Sequence, residues 1–110
     1  MVWCAGGMLT WKENLSTLLG HRQPDGPRWR ETREVDYVAG CALLARREVL
    51  EKVGLFDAQY FAYMEDVDLC LRAHELRAGD FLVTPASKVT HHEGKTPGRG
   101  ARIPQNRAVF

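Results

Sequence analysis

Residues 61–79, FAYMEDVDLCLRAHELRAG, constrain the fold more than any other stretch of this chain. Val67, Cys70, Leu71 and His74 fall at i, i+3, i+4 and i+7, so the spacing predicts a helix that starts near Asp66 and carries one apolar stripe. Asp68 and Arg72 stand four apart on another face, where opposite charges attract by about 0.2–0.5 kcal/mol. Gly79 supplies the stop. Three acids, Glu65, Asp66 and Asp68, crowd the start of this helix, directly behind Phe61 and Tyr63.

Two readings fit the acids. In the first they cap the helix, each interacting favourably with the helix dipole by about 0.3–1 kcal/mol. In the second they form a site. Carboxylates taken out of water beside aromatic walls repel one another and their pKa values rise. A carboxylate so held can act as a general base. Residues 61–79 by themselves leave both readings open.

The other elements are shorter. MVWCAGG, residues 1–7, reads as a buried strand ending at Gly6-Gly7. Thr10 and Glu13 fit a capping box, followed by Leu15, Leu18, Leu19 and a stop at Gly20, which predicts a short helix. Residues 21–34 are polar, with Pro24, Asp25, Gly26 and Pro27 marking a turn. That loop carries Arg22, Arg28, Arg30 and Arg33, either as a solvated loop or as a basic loop that meets an anionic ligand. VDYVAGCALLA, residues 35–45, is the strongest buried-strand candidate, interrupted by Gly40, where a bulge or the close approach of another group is expected. Arg46 to Val53 reads as a helix with Val49, Leu50 and Val53 on one face, stopped by Gly54. FLVT, residues 81–84, reads as a strand ended by Pro85, and Lys88 to His92 as a further extended piece. From Gly94 onward Gly, Pro and Arg dominate, which predicts a loose tail over 94–110.

This order is an α/β pattern with a small mixed sheet. Two or three strands leave exposed edges, so residues 1–93 are expected to be part of a larger domain. Of the 110 residues 45% are apolar and 26% charged, as in a globular domain rather than a disordered chain. Fifteen basic and 14 acidic residues balance to +1, which gives no general attraction to nucleic acid or membrane. No run of 18 apolar residues is present, so no transmembrane segment is expected. Met1-Val2-Trp3-Cys4 lacks the charged and apolar regions of a signal peptide, which fits a cytoplasmic location. Cys4, Cys41 and Cys70 are odd in number, far apart and set among apolar neighbours, and read as buried thiols. His91 and His92, adjacent on an extended segment, point to opposite sides, so at most one faces a site with Asp66. Without an HExxH or CxxC frame a self-contained zinc site is not expected. The acids also lack the glycine and the closing glutamate of a calcium loop.

Taken together, residues 35–92 closely resemble the C-terminal half of the catalytic domain of family 2 inverting glycosyltransferases, in their bacterial rhamnosyltransferase-like branch. The matching features are Gly40-Cys41 at a strand end, the basic helix Arg46 to Val53, and the GLFD of Gly54 to Asp57. The aromatic and acidic stretch Phe61 to Arg72, Gly79, Pro85-Ala86 and the V-x-H-H of Val89 to His92 follow in the same order. The resemblance implies part of a GT-A (nucleotide-diphospho-sugar transferase) fold. The activity it implies is inverting transfer of a sugar from a nucleotide-sugar donor to a hydroxyl acceptor, glycan or lipid-linked, in polysaccharide or cell-wall assembly. It implies Asp66 as the base, with Glu65 orienting the acceptor and Tyr63 contributing to the aromatic walls. Gly40 and Cys41 would line the acceptor side. Asp68 and Arg72 would pin the helix. His91 would help bind a divalent metal (Mg²⁺ or Mn²⁺) or the diphosphate, with His92 as its competitor. The family's D-x-D metal motif and nucleotide pocket have no counterpart here, so this chain is expected to hold the acceptor half of a site and to transfer sugar poorly alone. The metal is expected only with that other half. The resemblance also allows peripheral association with the inner face of the plasma membrane. The alternative is an inactive remnant that at most binds an acceptor carbohydrate.

Overall fold

A computed structural model describes residues 1–10 and 16–92. Two of the three helices predicted from the sequence are present. The first, α1, spans Arg47–Val53. Gly54 ends it at φ 90°, donating its N–H to the Leu50 carbonyl at 2.8 Å. The second, α2, spans Glu65–Glu75, with all three acids in its first turn, where the exposed amides favour negative charge. At its far end Ala78 N–H bonds back to Ala73 O and Arg77 N–H to His74 O, closing a Schellman motif. Arg77, at φ 48°, holds the left-handed position, so the chain has turned before the expected stop at Gly79.

Helix α2 is the spine of the core. Val67 and Cys70 pack with Tyr37, Tyr60 and Met64, and Cys70 has no exposed surface. Leu69 and Ala73 pack with Val53 of α1, supported by Leu43, Val49 and Leu50. Phe81 touches both clusters. The buried face is therefore broader than the stripe expected from spacing. Leu71 is half-buried and His74 is exposed. His74 lies one turn beyond Cys70, where the Tyr37–Tyr60–Met64 cluster has ended, so nothing covers it.

The single small mixed sheet expected from the sequence is instead two antiparallel pairs. Strand β1, Gly7–Met8, pairs with β2, Thr17–Leu18, and β3, Arg33–Val35, pairs with β4, Phe81–Val83. A bridge between Gly7 and Tyr37 joins the two regions. The helix expected over 10–19 is contradicted at Thr17–Leu18, which are extended because β1 offers them a ladder. Residues 11–15, with most of the capping box and Leu15, lie outside the described residues, as does the tail from Glu93. The strand expected over 1–7 reduces to Gly7–Met8. The strand expected over 35–45 is overturned beyond Val35. There only Tyr37 pairs, by a single bridge to Gly7, after which the chain forms a short turn at Gly40–Ala42 and leaves Leu44 fully exposed. Lys88 to His92 form no strand among the described residues, although Lys88 ion-pairs with Asp25 at 2.9 Å.

Two-stranded pairs are marginal unless something packs on them, and the glycines let that packing happen. A Cβ on Gly7 would stand 2.0 Å from the Tyr37 ring. Gly6 has φ 94°, and a Cβ there would stand 2.4 Å from the Val35 side chain. The Gly6-Gly7 pair thus allows Val35 and Tyr37 to be buried against β1. Among the described residues no helix is long and apolar enough to cross a membrane.

Candidate functional site

The approach to α2 is a tight turn. Asp57 caps a short 3-10 turn, Ala58–Tyr60, by accepting the Gln59 N–H at 2.9 Å. Phe61, Tyr63 and Met64 then take positive φ values of 41°, 70° and 74°. Left-handed backbone costs an L-residue roughly 1–2 kcal/mol, so three such residues in four are held by their surroundings. The anchors are Tyr60 and Met64, both buried in the core cluster. Phe61 is 81% exposed and Tyr63 half-buried, so the turn presents aromatic surface in front of the acids.

Asp66 is the second residue of α2. Its Oδ1 accepts the Val67 N–H and its Oδ2 accepts the Gly40 N–H, both at 2.9 Å. The second bond joins segments 26 residues apart and brings Gly40 and Cys41 to the acids. The close approach expected at Gly40 is thus made by Asp66. It does not require glycine, because a Cβ there would meet Asp66 at an ordinary 3.5 Å.

Glu65 differs from Asp66. Its Oε2 is buried with no hydrogen-bond partner among the described residues. Burial, with the Asp66 charge adding to it, pushes its carboxyl above the usual glutamate range, partly offset by a backbone hydrogen bond. The same negative charge reaches several neutral groups. Cys41 is exposed, against the expectation of a buried thiol, yet partial desolvation and then the Asp66 charge raise its pKa. Cys4, half-buried, is raised mainly by burial, with smaller contributions from Cys41 and Asp66. Burial pushes Tyr37 up to about 12 and Cys70 up to about 11, and Asp66 adds to both. The site is therefore one carboxylate fixed by two N–H donors, a second carboxyl shifted toward its protonated form, and neutral neighbours. By its chemistry such a carboxylate is a hydrogen-bond and proton acceptor, and a carboxyl shifted toward protonation can also donate.

Asp68 and Arg72 have the structural arrangement expected of them. Arg72 Nε donates to Asp68 Oδ2 at 2.8 Å, and its two terminal nitrogens donate to Val53 O at 2.7 Å and Leu55 O at 2.8 Å. One guanidinium thus ties α2 to the end of α1.

His91 is not drawn into this group. Its ring lies 4.1 Å from that of Trp3, tilted by 49°, and both His91 and His92 are exposed. No three His, Cys, Asp or Glu side chains among the described residues converge as metal ligands. The described residues by themselves therefore do not make up a divalent-metal site. An open hollow lined by Ala45, Arg47, Leu50, Glu51 and Leu55 lies along α1 and contains none of the expected site residues. The sequence reading missed Tyr37, whose ring covers Gly7, and Asp36, whose Oδ2 accepts the Leu9 N–H at 2.8 Å. The adjacent polar pair in VDYV was the available signal for both.

No protein-family model matches this chain, and no solved structure matches it. Curated proteins do. Over 68 residues, 61% of this chain, it is 44% identical to the N-acetylglucosaminyl-diphospho-decaprenol L-rhamnosyltransferase of Mycobacterium tuberculosis, in strains CDC 1551 and H37Rv alike. Over 38 residues, 34% of this chain, it is 50% identical to rhamnosyltransferase WbbL of Escherichia coli K12. These matches span 22% and 14% of the relatives' own lengths, so the chain corresponds to about a fifth or less of each. Over that part of its length it is homologous to rhamnosyltransferases, and so related to glycosyltransferases.

Proposed function

We propose that this chain forms the acceptor side of an inverting glycosyltransferase active site, within a GT-A fold completed by residues beyond it, and that Asp66 is the general base. The observation that carries this reading is the Gly40–Asp66 hydrogen bond. It holds one carboxylate oxygen of the acidic motif against the glycine segment, at the start of the helix that follows the Phe61–Met64 turn. In the reaction Asp66 takes the proton of an acceptor hydroxyl. That oxygen then attacks the anomeric carbon of the donor, the bond to the nucleoside diphosphate breaks, and the configuration inverts. Glu65 orients the acceptor, Gly40 and Cys41 line its approach, and Tyr63 offers a ring face to the sugar. A metal bound through His91 would take its other ligands from outside the described residues. The names of the mycobacterial and Escherichia coli relatives favour rhamnose as the sugar, and the mycobacterial name favours a diphospho-polyprenol acceptor. That acceptor would place the reaction in polysaccharide or cell-wall assembly at the cytoplasmic membrane surface.

A second reading is an acceptor-binding module without activity of its own. A chimera separates the two. This chain's matched residues replace their counterparts in the mycobacterial rhamnosyltransferase, and transfer is assayed with and without Asp66→Asn. The catalytic reading expects transfer by the chimera and a loss of about 10²–10⁴ in kcat on substitution, the range for a general base, with fold and donor binding kept. A chimera that folds and binds acceptor but transfers equally well after Asp66→Asn rejects Asp66 as base.

A further inference from the structure

The polar loop before β3 contains a cluster that the transferase reading does not use. Pro27–Trp29 forms a 3-10 turn that buries Trp29, leaving it 8% exposed. Its six-membered ring edge packs at Gly20, where a Cβ would stand 3.1 Å from Trp29 Cζ2. Two arginines lie on this ring, with Arg28 Cζ 4.5 Å and Arg33 Cζ 4.9 Å from its centroid. Arg33 belongs to β3, in register with Val83, and its guanidinium also donates to the Arg28 carbonyl. Two like charges are thus brought together on one rigid indole.

Nothing among the described residues neutralises them. Neither Arg28 nor Arg33 makes an ion pair there. Asp25, two residues before this turn, is engaged by Lys88, which with Arg30 holds its carboxyl below the usual range. Glu31 and Glu34 make no ion pair with either arginine. The indole Nε1 is itself buried without a partner among the described residues. Arg22 and Arg30 add further positive charge to the same loop.

We propose that the Arg28–Trp29–Arg33 clasp is a binding site for a phosphate or diphosphate group. Each guanidinium keeps a planar fork of N–H donors suited to phosphate oxygens. A single carboxylate fills one such fork, whereas a diphosphate has oxygens and charge enough for both. Stacking on Trp29 orients the two forks before the anion arrives, which lowers the ordering cost of binding. The proposal does not depend on Asp66 or on the transferase reading. The phosphate can belong to a soluble diphosphate or to a lipid headgroup.

The test uses the whole chain. Tryptophan fluorescence and Tm are followed against inorganic pyrophosphate at constant ionic strength. Sedimentation is followed with phosphatidylcholine vesicles with and without phosphatidic acid. The expected result is a saturable response to pyrophosphate, weakened about tenfold or more in R28Q/R33Q, as loss of a charge-assisted contact implies. It should be unchanged in R46Q/R47Q on α1. Capture by phosphatidic acid vesicles, reversed by pyrophosphate, assigns the group to a headgroup; a pyrophosphate response without vesicle capture assigns it to a soluble diphosphate. If the double variant does not fold, R28Q alone is used, because the Arg28 side chain makes no hydrogen bond among the described residues. The absence of a saturable response to either probe overturns the proposal. So does a variant that loses stability yet keeps the full pyrophosphate-dependent rise in Tm, because that is the behaviour of a purely structural clasp.

Discussion

The two ends of α2 carry opposite chemistry and treat it differently. At the basic end the polar groups are consumed by the fold: Arg72 commits its guanidinium to Asp68, Val53 O and Leu55 O, and the last carbonyls are closed by the Schellman bonds. At the acidic end they are held but not consumed. Asp66 is fixed by two N–H groups, Glu65 keeps a buried oxygen without a partner among the described residues, and the preceding turn is strained at Phe61, Tyr63 and Met64. Strain and incomplete satisfaction of this kind are what a functional site retains, and they single out the acidic end as the candidate. The Asp66→Asn chimera is the strongest attempt to break this contrast, since a large kinetic loss with little change in stability belongs to the acidic end alone.

The next largest effect belongs to the basic end. Arg72→Ala removes three hydrogen bonds at once and leaves Asp68 and two carbonyls without their donor. Arg72 is partly solvent-exposed, so water recovers some of the loss, and a destabilisation of about 2–4 kcal/mol is expected. Urea unfolding measures it. A loss below about 1 kcal/mol would show that the α1–α2 junction is held by apolar packing alone, and the contrast between the ends would collapse. Asp68→Asn should cost less, because Arg72 keeps both carbonyls.

Much of the basic end was legible in the sequence. The i,i+4 spacing found Asp68 with Arg72, and periodicity found α1 and α2, because these are local relations that a helix fixes by itself. The carbonyls of Val53 and Leu55 were not legible as Arg72 partners, being 19 and 17 residues away. The acidic end was legible as a cluster but not as a geometry, since the Gly40–Asp66 bond depends on how residues 36–46 cross the molecule. That crossing was the weakest part of the sequence reading. VDYVAGCALLA has the composition of a buried strand, but only Val35 in β3 and Tyr37, through its bridge to Gly7, find partners, and Leu44 ends in solvent. An apolar run reports that cover is needed, not that this stretch of chain supplies it. The strand at Thr17–Leu18 was missed for a related reason: leucines spaced for a helix also suit a short ladder, and β1 was there to pair with.

Glu65 gives the third prediction. Its carboxyl is raised by burial first and by Asp66 second, so the folded state favours the protonated form. The extra stability is present in full below the ordinary glutamate pKa and is lost as pH rises through the raised value. Glu65→Gln should therefore stabilise the protein at pH 7 by a modest margin, because it removes the desolvated charge while leaving a polar atom in the same place. It should also flatten the fall in Tm between acid and neutral pH. Equal Tm values for both proteins across that range would mean that Glu65 is not desolvated in solution, and the acidic end would lose one of its two distinguishing carboxyls.

The smallest effect comes from backbone alone. Arg77 holds the left-handed position of the Schellman motif at φ 48°, where glycine is the usual residue. Arg77→Gly removes a strain of roughly 1–2 kcal/mol but frees the unfolded chain by about 0.4–1 kcal/mol. The net gain expected is about 0.5 kcal/mol, read as a small rise in the urea midpoint. The bond from Lys52 Nζ to the Arg77 carbonyl, at 3.3 Å, survives because it uses only backbone at residue 77. Destabilisation would mean that the Arg77 side chain packs usefully, and that this end too keeps strain that other contacts offset. A gain would leave the asymmetry sharper: a single glycine relaxes the basic end without loss. At the acidic end the same backbone region includes Met64, whose side chain is buried in the core, so no glycine could replace it without losing that packing.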